Sequence, residues 1–551
     1  MLRHAPLATL LTLALGCATP AFALNDSPLP DIGSTAGQVL SPEQQHEYGE
    51  LTFRELRREG YVLDDPLLED WLQGIGEHLA ANSSRPSQDF HFFVVNSREI
   101  NAFATLGGYV AVNAGLILTT ASEDELAAVM SHEISHVTQN HVLRGIESEK
   151  KDTVPIILGM IAAAIVASRS GSGSSTNGGE AAIASGFGLM AQQEINFTRG
   201  DEAEADHFGI QTMARAGYDP LAMASFFDRM QAANRSNEGY GPYQVPDFLQ
   251  DHPVDSVRIS DALARARQIK SKPDTVLTGG IATAPDSLLL PADITAHHVS
   301  AVVQHGRDFG WARERLRVLS AETSSVAIGE YRKIRDAHPG AFGDAQRYGL
   351  AIALLQNGES AAALTELQGL SQRHPDAYWI DLAIAKAQFL SGHRQTALES
   401  YDRLLQRMPG NRGVILTYAT TLGEMGTAEA GRRAQAVLRP LMADGGDDPD
   451  FQQVYARASE LAGDTGRASE SYAMVAYLNG RAEDALNQLE ALKRRDDIDY
   501  YQRARVEARI AELTPVVLEM HKRGVHAGDV DKQQQQLAPQ AALRKTQPQL
   551  P

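Results

Sequence analysis

One cysteine in 551 residues, no excess of basic charge and no apolar run fit to span a bilayer are what this sequence most plainly lacks. With Cys17 alone, no disulfide can close within the chain, so the fold must hold without one. Lys and Arg number 50 against 69 Asp and Glu, a net charge of −19, and no basic block occurs. Binding a phosphate backbone needs cations clustered on one face, which excludes nucleic acid as the main partner. Val154 to Ala167 is mostly apolar but falls short of the roughly 20 residues a membrane-crossing helix needs. What remains is ordinary globular composition, 43% hydrophobic, at a length that fits two to four domains.

The first residues bear on the compartment. Arg3 is the one fixed positive charge before an apolar run from Leu7 to Leu15, and the small-residue triplet Ala21-Phe22-Ala23 follows. This is the layout of a secretory signal peptide over 1–23, which would export the chain and remove its only thiol. Lipid modification at Leu15-Gly16-Cys17 stays open as a second reading, although Ala14 stands where such sites prefer a large aliphatic residue.

Beyond it, helical periodicity alternates with two short β-rich strings, His91 to Val95 and Gly108 to Val112, so the first half is mixed α and β. Residues 272–291 lose that periodicity and read as a linker, and everything after them is helical. Gly358, Gly392 and Gly426 recur every 34 residues, Pro339, Pro375 and Pro409 keep nearly the same spacing, and Ala363-Leu364 matches Ala397-Leu398. A 34-residue helix-turn-helix period is the tetratricopeptide signature. The expected organisation is an α+β domain over 24–271, an all-α tetratricopeptide repeat domain over 292–525 and a disordered tail over 526–551.

The chemistry concentrates at Ser131-His132-Glu133-Ile134-Ser135-His136, behind Ser122-Glu123-Asp124-Glu125, which reads as a capping box opening a helix. Two histidines four apart leave one helix face about a turn apart and can grip one Zn²⁺, with Glu133 beside the metal-bound water as general base. With 17 histidines in the chain, chance places such a triplet about 0.03 times. His141, nine residues past His132, is expected to face away from the site on a continuous helix. A third ligand is sought in Thr198 to Asp206, where Glu202 and Asp206 share a helix face and Glu204 points away. Glu202 is the expected ligand and Asp206 the acid that orients a ligating imidazole; an acidic solvated face is the alternative.

These strings, in order and spacing, carry a resemblance. The sequence resembles the HtpX-related zinc metallopeptidases, and among them the BepA-type periplasmic proteases that end in tetratricopeptide repeats. The likeness rests on Leu29-Pro30-Asp31-Ile32-Gly33, on Asn101-Ala102-Phe103-Ala104 with Gly107-Gly108, on His132 to His136, on Thr198-Arg199 through Glu202 to Asp206, and on His252-Pro253 with Arg258. It implies a zincin-type protease fold, one zinc held by His132, His136 and Glu202, Glu133 as catalytic glutamate and Asp206 as an active-site acid. It also implies a periplasmic location, misassembled outer-membrane proteins as substrates, the outer-membrane assembly machinery as partner through the repeats, and a chaperone-like role.

Four expectations remain. Gly108, Tyr109, Val110, Ala111 and Val112 should form an exposed edge strand that takes up an extended substrate by β-augmentation. His252 either reaches the open zinc position or an oxyanion, or is a loop histidine; bound to zinc it would hold an enzyme latent. Arg258 should fix that loop by a charge-assisted bond. Residues 154–190 form either a helical hairpin touching a membrane surface or a flap over the protease core. The rival function is a non-enzymatic assembly factor with a closed zinc site.

Overall fold

The structure, a computed structural model, describes residues 40–148, 198–237, 246–271, 306–337, 340, 342–443 and 445–522. The expected signal peptide over 1–23 with Cys17, the Leu29 to Gly33 string, the 154–190 segment, and the stretches read as linker and tail lie outside these residues.

Two helices open the first unit, α1 (Pro42–Arg58) and α2 (Pro66–Ala81). Each begins with proline at its first position, where no amide is missed, after a side-chain cap from Ser41 or Asp65. Leu68, Leu72, Ile75 and Leu79 recur at helical spacing on α2 and are all buried, each contributing about 1.5–3 kcal/mol. Gly76 completes that face, since a Cβ there would strike the Phe92 ring.

Three strands follow: β1 (His91–Val95), β2 (Ala102–Ala104) and β3 (Tyr109–Asn113). The sheet order is β1-β3-β2, with β3 parallel to β1 and antiparallel to β2. This corrects one expectation: β3 is the central strand and every residue of it is buried, so it offers no edge. Its apolar residues run without polar alternation because both of its faces are covered. Gly108 precedes the strand at φ 85°, in a tight turn with Gly107 at φ 73°. The edge opposite β1 belongs to β2.

The site helices come next: α3 (Ala114–Thr119), α4 (Glu123–Thr138), α5 (His141–Ser148), α6 (Arg199–Arg215), α7 (Ala222–Asn237), α8 (Asp247–Asp251) and α9 (Ser256–Ser271). Only half of the expected capping box forms on α4. The Ser122 hydroxyl accepts from Glu125 N at 3.3 Å, but Glu125 itself binds Ala121 N at 2.8 Å and pairs with Arg229. The full reciprocal box occurs instead on α6, between Thr198 and Asp201.

The second unit is helical throughout its described residues: α10 (Phe309–Leu319), α11 (Ser324–Ala337), α12 (Asp344–Gln356), α13 (Ser360–Arg373), α14 (Tyr378–Leu390), α15 (Arg394–Arg407), α16 (Arg412–Glu424), α17 (Ala428–Leu438), α18 (Pro449–Ala462), α19 (Thr465–Leu478), α20 (Ala482–Lys493) and α21 (Tyr500–Lys522). The helices α12, α14 and α16 start 34 residues apart. Gly358, Gly392 and Gly426 turn each of them into its partner at φ 82°, 85° and 70°, a left-handed conformation that costs a residue with a Cβ roughly 1–2 kcal/mol. Ala363 and Ala397, both buried, are the small residues where paired helices meet.

The two units share one apolar core, which runs from Leu63 to Ala458. Ion pairs seal its rim. Arg315 makes two bonds to Asp65, at 2.8 and 2.6 Å. Arg412 reaches Glu69 and Asp70 on α2 as well as Asp448 and Asp450 beside its own helix, at 2.7 to 3.3 Å. Asp70 also accepts from Gly413 N at 2.8 Å, an anion seated on the amino end of α16.

Candidate metal centre

The helix α4 carries His132, Glu133 and His136, and nearly every residue of it is buried. Such burial of a polar face requires a second polar surface against it, and α6 supplies one with Glu202 and Asp206. The two helices approach closely at Gly209, where a Cβ would already lie 3.3 Å from His132 N. The third contributor is His252, at the end of α8, where its amide bonds Phe248 O at 2.8 Å.

These pieces converge. The nitrogen His132 Nε2 lies 3.0 Å from His136 Nε2 and 3.3 Å from His252 Nδ1. Glu202 closes the group, with Oε1 at 3.4 Å from His136 Nε2 and 3.0 Å from His252 Nδ1, and Oε2 at 3.5 Å from His132 Nε2. One ligand atom from each of the four residues falls within 4.8 Å of all the others. Imidazole nitrogens facing each other share at most one proton per contact, so this donor set fits a divalent cation better than it satisfies itself.

The supporting contacts are equally specific. The carboxylate of Asp206 takes His132 Nδ1 at 2.9 Å on Oδ1, which fixes the ring with Nε2 toward the cluster. It also receives Arg258 through Nε and Nη2, both at 2.8 Å. Arg258 Nη1 reaches Glu202 Oε2 at 2.7 Å and the Pro253 carbonyl at 2.9 Å, so it ties both acids as well as the loop. Its guanidinium lies over the Phe227 ring at 4.8 Å.

Charge follows from these contacts. Burial opposes a proton on His132, but hydrogen bonds to Asp206 and Glu202 outweigh it and push the ring up to about 10, a proton that a bound cation would displace. Burial, then the neighbouring His132 and His252, hold His136 well below its ordinary value. Burial alone would raise Asp206, yet His132 and Arg258 hold it below the usual carboxylate range. Glu133 goes the other way: burial pushes it up against the pull of His252 and His132. Its Oε1 has no hydrogen-bond partner among the described residues, and His252 Nε2 stands 3.5 Å away.

Thus His132, Glu133, His136, Glu202, Asp206, His252 and Arg258, dispersed over more than a hundred residues of sequence, meet at one buried point. Gly108 to Val112 do not meet them as an edge. Two features escaped the sequence. The Asn101 side chain donates to Asp251 Oδ2 at 2.9 Å, and Ile100 O accepts from Phe248 N at 3.0 Å, so the entry to β2 holds the His252 loop. His141, expected to face away, packs on His136 with Nδ1 to Nδ1 at 3.0 Å. The angular argument assumed one continuous helix, whereas the chain breaks at Asn140 with φ 56°. Asparagine is, among residues with a Cβ, one of the most at ease in that conformation, and its place after Gln139 was the available signal.

Residues 66–266 match the model of Peptidase family M48. The chain is 28% identical over 519 residues to the beta-barrel assembly-enhancing protease of Escherichia coli strain K12, covering 92% of this chain and 95% of that protein. It is 40% identical over 268 residues to a relative from Vibrio cholerae, 48% of this chain and about half, 53%, of that one. It is also 28% identical over 220 residues to the mitochondrial metalloendopeptidase OMA1 of Arabidopsis thaliana, 40% of each chain. With both helices of the cluster inside the matched segment, residues 66–266 are a Peptidase family M48 domain and the chain is a metalloprotease, while the likeness to the Escherichia coli protein continues through the helical half.

Proposed function

We propose that this chain is a zinc-dependent endopeptidase of the periplasm that removes misfolded or misassembled outer-membrane β-barrel proteins and assists their assembly. The observation that carries the reading is the convergence of His132, His136 and Glu202 beside a buried Glu133 whose Oε1 makes no hydrogen bond among the described residues. Ligand bonds of about 2.0–2.1 Å around a tetrahedral zinc set ligand atoms about 3.3 Å apart. Contacts of 3.0 to 3.5 Å within the cluster agree with that spacing.

When bound, zinc supplies Lewis acidity toward water and the scissile carbonyl. Glu133 takes the proton of the attacking water and returns it to the leaving amine, a task that suits a carboxylate raised by burial. His132 keeps one tautomer because Asp206 accepts from its far nitrogen. An extended substrate pairs with β2, the strand at the sheet's edge, rather than with β3.

His252 is the fourth ligand, and its loop must move before a peptide can enter. A closed four-ligand site favours the rival reading, an assembly factor without proteolysis. Against it stands Glu133, since a structural zinc has no use for a base beside it. The helix pairs with their 34-residue period are read as tetratricopeptide repeats, a concave surface for substrates or for the outer-membrane assembly machinery. The signal peptide reading of 1–23 supports the compartment. Peripheral membrane contact by 154–190 is a further part of this proposal.

The test is zinc content together with cleavage of an unfolded outer-membrane β-barrel protein by the purified mature chain, Glu133→Gln and His252→Ala. Zinc in all three, cleavage lost in Glu133→Gln and raised in His252→Ala, is the expected result. Zinc without cleavage by wild type or His252→Ala, partner proteins included, would move the assignment to the assembly factor.

A further inference from the structure

One buried imidazole beside the cluster has no part in the chemistry above. We infer that His141 is a positioning residue that holds the ligand His136 in its metal-binding orientation, and that Glu204 holds His141 in turn. The inference rests on the metallopeptidase reading and names a support for the same site.

The His141 side chain is fully buried, with Nδ1 3.0 Å from His136 Nδ1 and Nε2 3.1 Å from Glu204 Oε2. His136 presents its other nitrogen to the cluster, 3.0 Å from His132 Nε2. A ring that gives its Nε2 lone pair to a cation carries its proton on Nδ1. Donors and acceptors then match in one direction. His136 Nδ1–H donates to His141 Nδ1, and His141 Nε2–H donates to Glu204 Oε2. Arg144 anchors the end of the relay, donating to Glu204 Oε2 at 2.6 Å and to Asp201 Oδ1 at 3.1 Å. No group in the chain needs an added or a missing proton.

The backbone is bent to make this contact. Asn140 is the one non-glycine residue with positive φ among the described residues. It ends α4 and restarts the chain as α5 at His141, so the ring swings back onto His136 instead of continuing round the helix. Arg85 Nη1 donates to Asn140 Oδ1 at 3.1 Å and secures the turn. Strain of this kind persists where the surroundings impose it, commonly beside functional groups.

The choice of an imidazole has a physical reason. His132 already leans on a carboxylate, Asp206, and the site holds Glu202 and Glu133 besides. A second carboxylate against His136 would put another charge into a buried cluster, whereas a neutral ring accepts the same hydrogen bond and passes the charge to Glu204, whose side chain is 35% exposed.

The test follows zinc leaving the purified full-length chain for a chromogenic chelator, in wild type, His141→Phe, His141→Asn and Glu204→Leu, with melting of the zinc-free proteins to confirm folding. Phe keeps a ring but accepts nothing, while Asn packs worse yet offers an oxygen near the Nδ1 position. Removing an orienting partner typically costs 10–100-fold in metal affinity, so His141→Phe should release zinc about 10–100 times faster than wild type. His141→Asn should recover to within about 5-fold of wild type, and Glu204→Leu should fall between, at about 3–10-fold. Unchanged release from His141→Phe would overturn the inference, as would release from His141→Asn as fast as from Phe, which would make packing the cause. Unchanged release from Glu204→Leu would remove the Glu204 half and does not depend on the Phe variant folding. A wild-type chain that binds no zinc would instead overturn the metal reading on which this rests.

Discussion

Replacing Arg412 with Met tests how the helical half is fastened to the protease half. The guanidinium lies among Glu69, Asp70, Asp448 and Asp450 with its side chain 24% exposed. Breaking a fully buried pair from one side costs about 3–5 kcal/mol and an exposed pair up to about 1, so a three-quarters-buried hub should cost about 2–4 kcal/mol. At about 2–4 °C per kcal/mol for a domain of this size, the melting temperature should fall by roughly 5–15 °C near neutral pH. Its pH dependence is signed. Burial opposes ionisation of Asp448, but Arg412 holds it below its ordinary value, so in wild type it contributes stability above about pH 4 that is lost as pH falls further. Burial raises Glu69, with Asp450 adding to it, and raises Asp70, both against the pull of Arg412. A raised carboxyl gains its proton first in the folded state, so without Arg412 lowering the pH should restore stability. The gap between variant and wild type should therefore be widest near pH 7.5 and shrink toward about pH 5. Scanning calorimetry at both values is the assay. A variant melting within about 2 °C of wild type, or a gap that does not narrow, would refute the argument.

Asp206→Asn should weaken zinc binding by about 10–100-fold, because an amide cannot accept from both His132 and the Arg258 fork; chelator competition measures it. Glu133→Gln should keep zinc and lose cleavage, a split that atomic absorption and a peptidase assay on one sample will show. Gly358→Ala meets no atom within 4 Å, so its cost is the left-handed backbone alone, about 1–2 kcal/mol, and Gly358→Asn should recover part of it in a urea melt. Gly349→Ala, by contrast, drives a methyl into the Tyr331 hydroxyl and should cost about 1–3 kcal/mol through overpacking.

The pairing of His132 and His136 on one helix face was legible because its geometry is local: four residues on a helix fix the direction of both rings whatever the rest of the chain does. The same holds for Glu202 with Asp206, and for the 34-residue glycines, whose positive φ is a property of the turn itself. Periodicity also marked the strands at His91 and Tyr109, because hydrophobic runs of that length report burial. It could not give strand order. Whether β3 lies at the edge or the centre depends on where β2 pairs, and β2 has only three residues and no periodic signal of its own. His141 was misplaced for a related reason, since a single residue, Asn140, changed the axis on which every later angle was counted. The sequence placed Arg258 on the His252 loop, as its bond to the Pro253 carbonyl bears out, but could not bring His252 to Glu202 or Arg258 to Asp206. The contacts of His252 with Glu202 and of Arg258 with Asp206 join segments 50 or more residues apart, where only the packing of helix on helix sets the distance. Sequence alone determined the chemistry carried within each helix. The tertiary structure decided which helices meet and which histidine stands behind His136, because those distances follow from packing across the whole domain rather than from any local period.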